Sequence, residues 1–240
     1  MRTYLLIGMV CLGLLVSNLA HAVNLTAQSW LVADGNGKII NGERVDEIRS
    51  IASISKLATV MAVLDARQDL DEYIKSYTRR ELIQLALVKS DNNAAKSLCE
   101  HYPGGYTACI HAMNSKMYRL GLNNTKFLEP TGLSIFNVST ATELVKLVQI
   151  ASSYPEIILA SQTSQVKIKI KKKWLVFNNT NPIIGKRHDF IVSKTGYIRA
   201  SGGCIVMMLD TDMGRKIVIV LGSKDTHTRI PEAEFIATKY

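Results

Sequence analysis

Acidic residues are in short supply. The 240-residue chain carries 20 Asp and Glu against 29 Lys and Arg, a formal charge of +9. Such an imbalance suits an acidic partner, whether an envelope polymer or a nucleic acid. Cysteine is scarce, with four in the chain, and none has the spacing of a metal site. His101, His111, His188 and His227 show no ligand spacing either. Neither a metal nor a cofactor is therefore expected. Beyond the N-terminus no apolar run is long enough to span a membrane. No Gly/Ser/Pro-rich linker and no internal repeat divides the chain, so one domain is expected.

The first 22 residues read as a leader. Arg2 is the charged region, Leu5 to Leu19 the apolar region, and Ala20-His21-Ala22 a small-x-small cleavage signal. Cleavage after Ala22 leaves 23–240 as the mature, exported chain; the alternative is an uncleaved N-terminal anchor. Export argues against a nucleic-acid partner. It also makes disulfides chemically possible for the remaining cysteines, Cys99, Cys109 and Cys204. A turn at His101-Tyr102-Pro103-Gly104-Gly105 would bring Cys99 and Cys109 together, but sequence alone leaves that pairing open. Cys204 precedes Ile205-Val206-Met207-Met208-Leu209 and reads as a small buried hydrophobe in a strand.

Strand patterns lie at both ends and helical ones between. Ser29 to Ala33 is a short apolar strand, Asp34-Gly35-Asn36-Gly37 a hairpin turn, and Lys38 to Asn41 its return. From Ser53, the residues Ile54, Leu57, Ala58, Met61 and Leu64 recur at helical spacing. Thr78-Arg79-Arg80-Glu81 and Thr140-Ala141-Thr142-Glu143 read as capping boxes. Val166 to Val176 alternates like a hairpin. Ile191 to Lys194, Cys204 to Leu209 and Lys216 to Leu221 are three further strands, and Pro231 to Thr238 is a terminal helix. This order predicts an α+β domain whose antiparallel sheet is assembled from both termini, with a helical subdomain inserted.

Three short motifs occur within that frame: Ser53-Ile54-Ser55-Lys56, Ser90-Asp91-Asn92 and Lys194-Thr195-Gly196. Each has an ordinary alternative: an N-cap serine with a solvent-facing lysine, plain helix capping, and a strand ending at a glycine. Ser164-Gln165-Val166-Lys167 shows how easily Ser-x-x-Lys arises, but it sits in a strand-like stretch whereas Ser53 opens a helix. Together and in this order, the three spell the active site of penicillin-interacting serine acyl-transferases. Residues three apart on a helix share a face, so Ser53 and Lys56 can meet. Lys56, made less basic by burial, would take the proton of the Ser53 nucleophile. Ser90 would pass a proton to the leaving amine through a link to Lys56, and Asn92 would hold the substrate backbone. Lys194 and Thr195 would receive a carboxylate. Gly196 would let a backbone approach closely, and the Tyr197 amide would be a second oxyanion donor.

The lysines at 167, 169, 171, 172 and 173 alternate with Val166, Ile168 and Ile170. That alternation fits the solvated face of a hairpin better than a nucleic-acid patch.

The chain resembles the D-alanyl-D-alanine carboxypeptidase family of low-molecular-mass penicillin-binding proteins, and within it the endopeptidase branch. The resemblance runs through Arg49 to Leu57, Asn93-Ala94-Ala95, His101 to Tyr106, Glu129-Pro130-Thr131-Gly132-Leu133-Ser134, Asn137 to Ala141, Asn179 to Pro182, Lys194 to Tyr197 and Cys204 to Met207. It implies a β-lactamase/transpeptidase-like fold and a penicillin-binding serine peptidase domain over 23–240. It also implies cleavage of D-Ala-containing cross-links or stems in peptidoglycan through a Ser53 acyl-enzyme, with β-lactams as covalent inhibitors. A periplasmic location follows, with no stable membrane anchor once the leader is removed.

Three departures from the family pattern bear on this. The stretch from Lys56 to Ser90 is short. Ile198 stands where many relatives place a Thr near the substrate carboxylate, which favours a cross-link over a free D-Ala end. The chain stops at Tyr240, without the second domain of the major carboxypeptidases, so a soluble mature protein is expected. A β-lactamase and a non-catalytic wall-binding protein are the competing readings, and a carboxypeptidase is the alternative within the family.

Overall fold

The computed structural model describes residues 25–170, 172–186 and 189–240. The expected leader, with Cys11, lies outside them, as do Lys171 and His188. Strand β1 (Ser29–Asp34) reverses into β2 (Ile39–Glu43). The reversal is local chemistry: Asp34 Oδ1 accepts from the backbone N–H of Asn36 and of Lys38, both at 2.9 Å. A short strand, β3 (Arg49–Ser50), leads through a single 3-10 turn (Ala52–Ile54) into α1 (Ser55–Asp65). A two-stranded ribbon, β4 (Tyr73–Ile74) and β5 (Tyr77–Thr78), precedes α2 (Arg79–Gln84).

The capping box at α2 is complete: Glu81 N donates to Thr78 Oγ1 (3.2 Å) and Thr78 N to Glu81 Oε2 (2.8 Å). A π turn over Leu85–Lys89 continues α2, and α3 (Asn92–Glu100) and α4 (Gly105–Arg119) follow. Cys99 and Cys109 are bridged, with Cα atoms 5.3 Å apart, tying α3 to α4. Strand β6 (Val138–Ser139) pairs with β3 and leads into α5 (Ala141–Ala151) and α6 (Pro155–Gln162). The second expected capping box is only half formed. Thr140 caps Glu143 N, but the Glu143 carboxylate turns away to Asn124 and Thr125, which offer it three donors.

Strands β7 (Gln165–Ile170) and β8 (Lys173–Asn178) form a hairpin separate from the main sheet. The chain closes with β9 (Asp189–Ile198), β10 (Gly202–Thr211), β11 (Gly214–Ser223) and α7 (Arg229–Lys239). The five-stranded sheet has the order β2-β1-β11-β10-β9, and all its pairings are antiparallel. Both termini therefore build it, as the sequence implies.

Helices cover both faces of this sheet, so its central strands are apolar on both sides. Leu31, Val206, Met208, Ile217 and Ile219 join Leu57, Met61, Leu144 and Val148 in one core. Val32, Ile205, Met207, Val218 and Val220 pack with Ile230, Ala233 and Ile236 of α7 in the other. Each fully buried side chain of this kind contributes about 1.5–3 kcal/mol. Strand β9 runs longer than its apolar residues predict, because β10 pairs with its polar half through Lys194, Thr195, Gly196 and Tyr197. Lys194-Thr195-Gly196 thus lies inside the strand, not at its end. It is an edge strand with β10 as its one neighbour, so its other side is open to the site described next.

Candidate active site

Sequence spacing starts the helix at Ser53, but Ser53 lies in the 3-10 turn, two residues ahead of α1. The displacement has a backbone cause. Ala52 has φ +46°, a left-handed conformation uncommon outside glycine, and α1 proper starts only at Ser55. The strain is held by tight surroundings. A Cβ on Gly132 would come within 2.0 Å of the Ala52 carbonyl oxygen, and one on Gly196 within 3.0 Å of Ser53 N. Two distant segments thus close on the Ser53 turn at positions that only glycine fits.

Lys56 is fully buried on α1, and its Nζ donates to Ser53 Oγ (2.8 Å), Asn92 Oδ1 (2.8 Å) and the Thr131 carbonyl (2.6 Å). Ser53 Oγ reaches the same carbonyl at 3.3 Å. Burial lowers the Lys56 pKa to about 8, against the attraction of the Glu129 and Asp91 carboxylates. Part of the population is therefore a free amine near neutral pH, in contact with a serine hydroxyl.

Ser90 stands at the C-terminal end of the π turn in a left-handed conformation, φ +60°. Asp91 then caps α3 by accepting from Ala94 N (3.0 Å), which fixes Asn92 at the first helical position. The link expected between Ser90 and Lys56 is replaced by another: Ser90 Oγ accepts from Lys194 Nζ at 2.8 Å, while Lys56 holds Asn92. Lys194 is buried on β9 and also donates to the Thr195 carbonyl. Burial, then the positive Lys56 and Arg229, hold its pKa well below the usual lysine range. An arriving anion would reverse that effect.

Ser53, Ser90, Asn92, Thr195, Gly196 and Tyr197 line one pocket of about 250 Å³, together with Leu133, Thr180, Thr226 and Arg229. Lys56 and Lys194 lie beneath it. All eight residues singled out from the sequence therefore meet at one place. Ile198 does not line the pocket: Thr195, Gly196 and Tyr197 are the members of that strand that do. A larger groove of about 320 Å³ lies behind the Ser90 turn, lined by Lys75, Tyr77, Lys89 and Phe177 among others. It contains neither Ser53 nor Lys56.

Several residues have roles that the sequence does not reveal. Both Glu129 carboxylate oxygens are taken up within its own loop, by the N–H groups of Thr131 (2.7 Å), Gly132 (2.7 Å) and Ser134 (3.2 Å) and by Thr131 Oγ1. Buried Asn137 ties that loop to α1 through Ser55 Oγ (3.0 Å). Glu129 and Asn137 thus aim the Thr131 carbonyl at Ser53 and Lys56. Thr180 meets Thr195 hydroxyl to hydroxyl at 2.6 Å. Arg229, at the start of α7, donates from Nη1 to the Gly196 carbonyl (2.7 Å), while its buried Nε has no partner among the described residues. Glu129 and Asn137 fall in matched family segments, but Arg229 has no local sequence signal at all.

The family described as D-alanyl-D-alanine carboxypeptidase matches over residues 70–225. A D-alanyl-D-alanine endopeptidase of Escherichia coli (strain K12) is 37% identical over 91% of this chain and 78% of its own length. The chain belongs to the D-alanyl-D-alanine carboxypeptidase family. A D-alanyl-D-alanine endopeptidase of Pseudomonas aeruginosa is 35% identical over 87% of this chain and 75% of its own. The fold is that of penicillin-binding proteins. The ampicillin-bound crystal structure of penicillin-binding protein D2 from Listeria monocytogenes superposes with a TM-score of 0.80 at 25% identity, covering 90% of this chain and 98% of that one. Membership makes the chain a serine-type hydrolase.

Proposed function

We propose that the protein is a peptidoglycan D,D-endopeptidase that cleaves D-Ala-containing cross-links through an acyl-enzyme on Ser53. The observation that carries the reading is the 2.8 Å contact between Ser53 Oγ and a Lys56 amine whose pKa is lowered to about 8. Lys56 takes the hydroxyl proton as Ser53 Oγ attacks the carbonyl carbon. The Ser53 and Tyr197 amides face the developing oxyanion. Ser90, accepting from Lys194, keeps its own proton free for the leaving amine, and Lys194 restores it. Asn92 holds the substrate amide, and Thr195 and Gly196 line its path along β9. Water then hydrolyses the ester, its proton passing through Ser90 to the neutral Lys194 while Lys56 returns its own to Ser53 Oγ.

A β-lactam has the same acyl chemistry and would acylate Ser53. Rapid release of that adduct needs a carboxylate free to orient water, and Glu129 is engaged by its own loop. The reading is therefore a peptidase and not a β-lactamase. Export to the periplasm fits a wall substrate. No described helix is long and apolar enough to cross a membrane.

A second reading, a carboxypeptidase that trims pentapeptide stems, draws on one observation. Arg229, Thr195 and Thr226 supply a cation and hydroxyls on the leaving side. The expectation that Ile198 weakens the grip on a carboxylate rests on a side chain outside the pocket, so it no longer separates the two readings. Arg229 suits any leaving residue with a carboxylate beside the cleaved amide, a terminal D-Ala or a cross-linking residue alike. Digesting purified muropeptide dimers and pentapeptide monomers, and weighing the products, decides between them. Dimer cleavage that disappears in Ser53→Ala supports the endopeptidase. D-Ala release with dimers left intact overturns it.

A further inference from the structure

The structure puts more on the β7–β8 hairpin than a solvated lysine face needs. Residues 157–188 hold seven Lys and Arg and no acid, while the rest of the chain holds 22 Lys and Arg against 20 Asp and Glu. Nearly all the excess charge is in this segment. The register pairs Gln165 with Asn178, Lys167 with Val176 and Lys169 with Trp174. Cross-strand partners share a face, so these six side chains form one face, and all six are exposed. Val166 and Ile168 on the opposite face are buried in the core, which locks that register.

The exposed face carries apolar groups as well as charge. Trp174 is 64% and Val176 51% exposed, and Lys169 Nζ stands 5.9 Å from the Trp174 ring centroid. At the base of the face, Gln165 and Asn178 enter a polar groove of about 320 Å³ with Ser164, Asn179 and Lys186. Two residues beyond Asn178, Thr180 lines the catalytic pocket. The chain thus passes from this face to the pocket within two residues.

We propose that this face is a docking site for a polyanionic glycopeptide polymer, held while a nearby peptide of the same polymer enters the Ser53 pocket; the inference rests on the function proposed above. Lysines match carboxylates along the strand, the indole offers a plane for sugar rings, and the amide groove matches hydroxyl and acetamido groups. An acyl-chain interface would bury the exposed Gln165 and Asn178 amides against hydrocarbon, which disfavours a lipid surface.

Retention of the full protein on purified insoluble peptidoglycan tests this, with wild type compared to the double variant Lys167→Gln/Lys169→Gln and to Trp174→Ala. The double variant should bind about tenfold more weakly at low salt. The gap should close at about 1 M salt, where screening shortens to about 3 Å. Wild-type tryptophan emission should shift on binding, because Trp174 is exposed while Trp30 is buried. Penicillin labelling and cleavage of soluble dimers should stay within about twofold of wild type in both variants. Equal retention of wild type and double variant at low salt overturns the proposal. So does retention on phosphatidylglycerol vesicles with none on peptidoglycan. If wild type cleaves no soluble dimer, the proposed activity falls, and retention still decides the docking.

Discussion

Replacing Asp91 by Asn should move the pH at which Ser53 becomes reactive. Burial takes Lys56 from 10.5 to about 8, opposed by Glu129 and Asp91. That change corresponds to roughly 3 kcal/mol against the charged form. At pH 7 about one molecule in ten then has a neutral Lys56, against about one in 3,000 for an unperturbed lysine. Burial therefore enlarges the pool of reactive base about 300-fold. Asp91→Asn removes one of the two charges that hold the proton on, and Asn can still cap α3 at Ala94 N.

The midpoint should fall below the wild-type value of about 8. The rate should rise at neutral pH and be unchanged on the alkaline plateau. The assay is the second-order rate of labelling by a fluorescent penicillin, from about pH 6 to about pH 10, with tenfold per pH unit expected below the midpoint. Lys56→Arg, which keeps charge but cannot readily release a proton, should lose a factor of about a hundred or more and flatten the profile. A wild-type midpoint near the unperturbed 10.5 would refute the assignment. A Lys56→Arg profile still shaped like wild type would pass the role to Lys194, which burial also depresses.

Arg229→Gln should raise KM for D-Ala-terminated peptides about tenfold or more, the loss of a charged hydrogen bond worth about 1.5–3 kcal/mol, with kcat little changed in steady-state release assays. Gly132→Ala should abolish penicillin labelling, because its Cβ would fall 2.0 Å from the Ala52 carbonyl; circular dichroism should show the secondary structure retained. Removing the Cys99–Cys109 bridge with paired alanines should cost about 2–3 kcal/mol in denaturant unfolding, from the short loop it closes. Labelling at Ser53 should survive that change under conditions where the protein stays folded.

The parts of the site legible in the sequence are those written in adjacent residues. Ser53 and Lys56 share a helix approach, Ser90 and Asn92 flank one cap, and Lys194 to Tyr197 follow one strand. Their partners were harder to read, because partnership is set across the fold. Ser90 pairs with Lys194, 104 residues away, not with the lysine nearer in sequence. Arg229 reaches Gly196 only because α7 starts against Gly203 of β10, the strand next to β9. Periodicity located β10 and β11 but shortened β9, since hydrogen bonding to β10 extends that strand through residues whose side chains carry no strand signal. The half-formed box at Thr140 has a similar cause: Glu143 finds better donors in another loop.

The turn that carries Ser53 rests against Gly132 from one segment and Gly196 from another. A chain that has made its helices but not yet docked β9, or not yet laid down the 129–137 loop, has Ser53 and Lys56 in sequence order but no wall to hold Ala52 in its left-handed state. Competence for acylation is thus a property of the finished tertiary structure and not of any fragment. Penicillin labelling of this protein would count native molecules, one adduct for each completed fold. A hydrolase built this way stays harmless to its surroundings until its own assembly is complete.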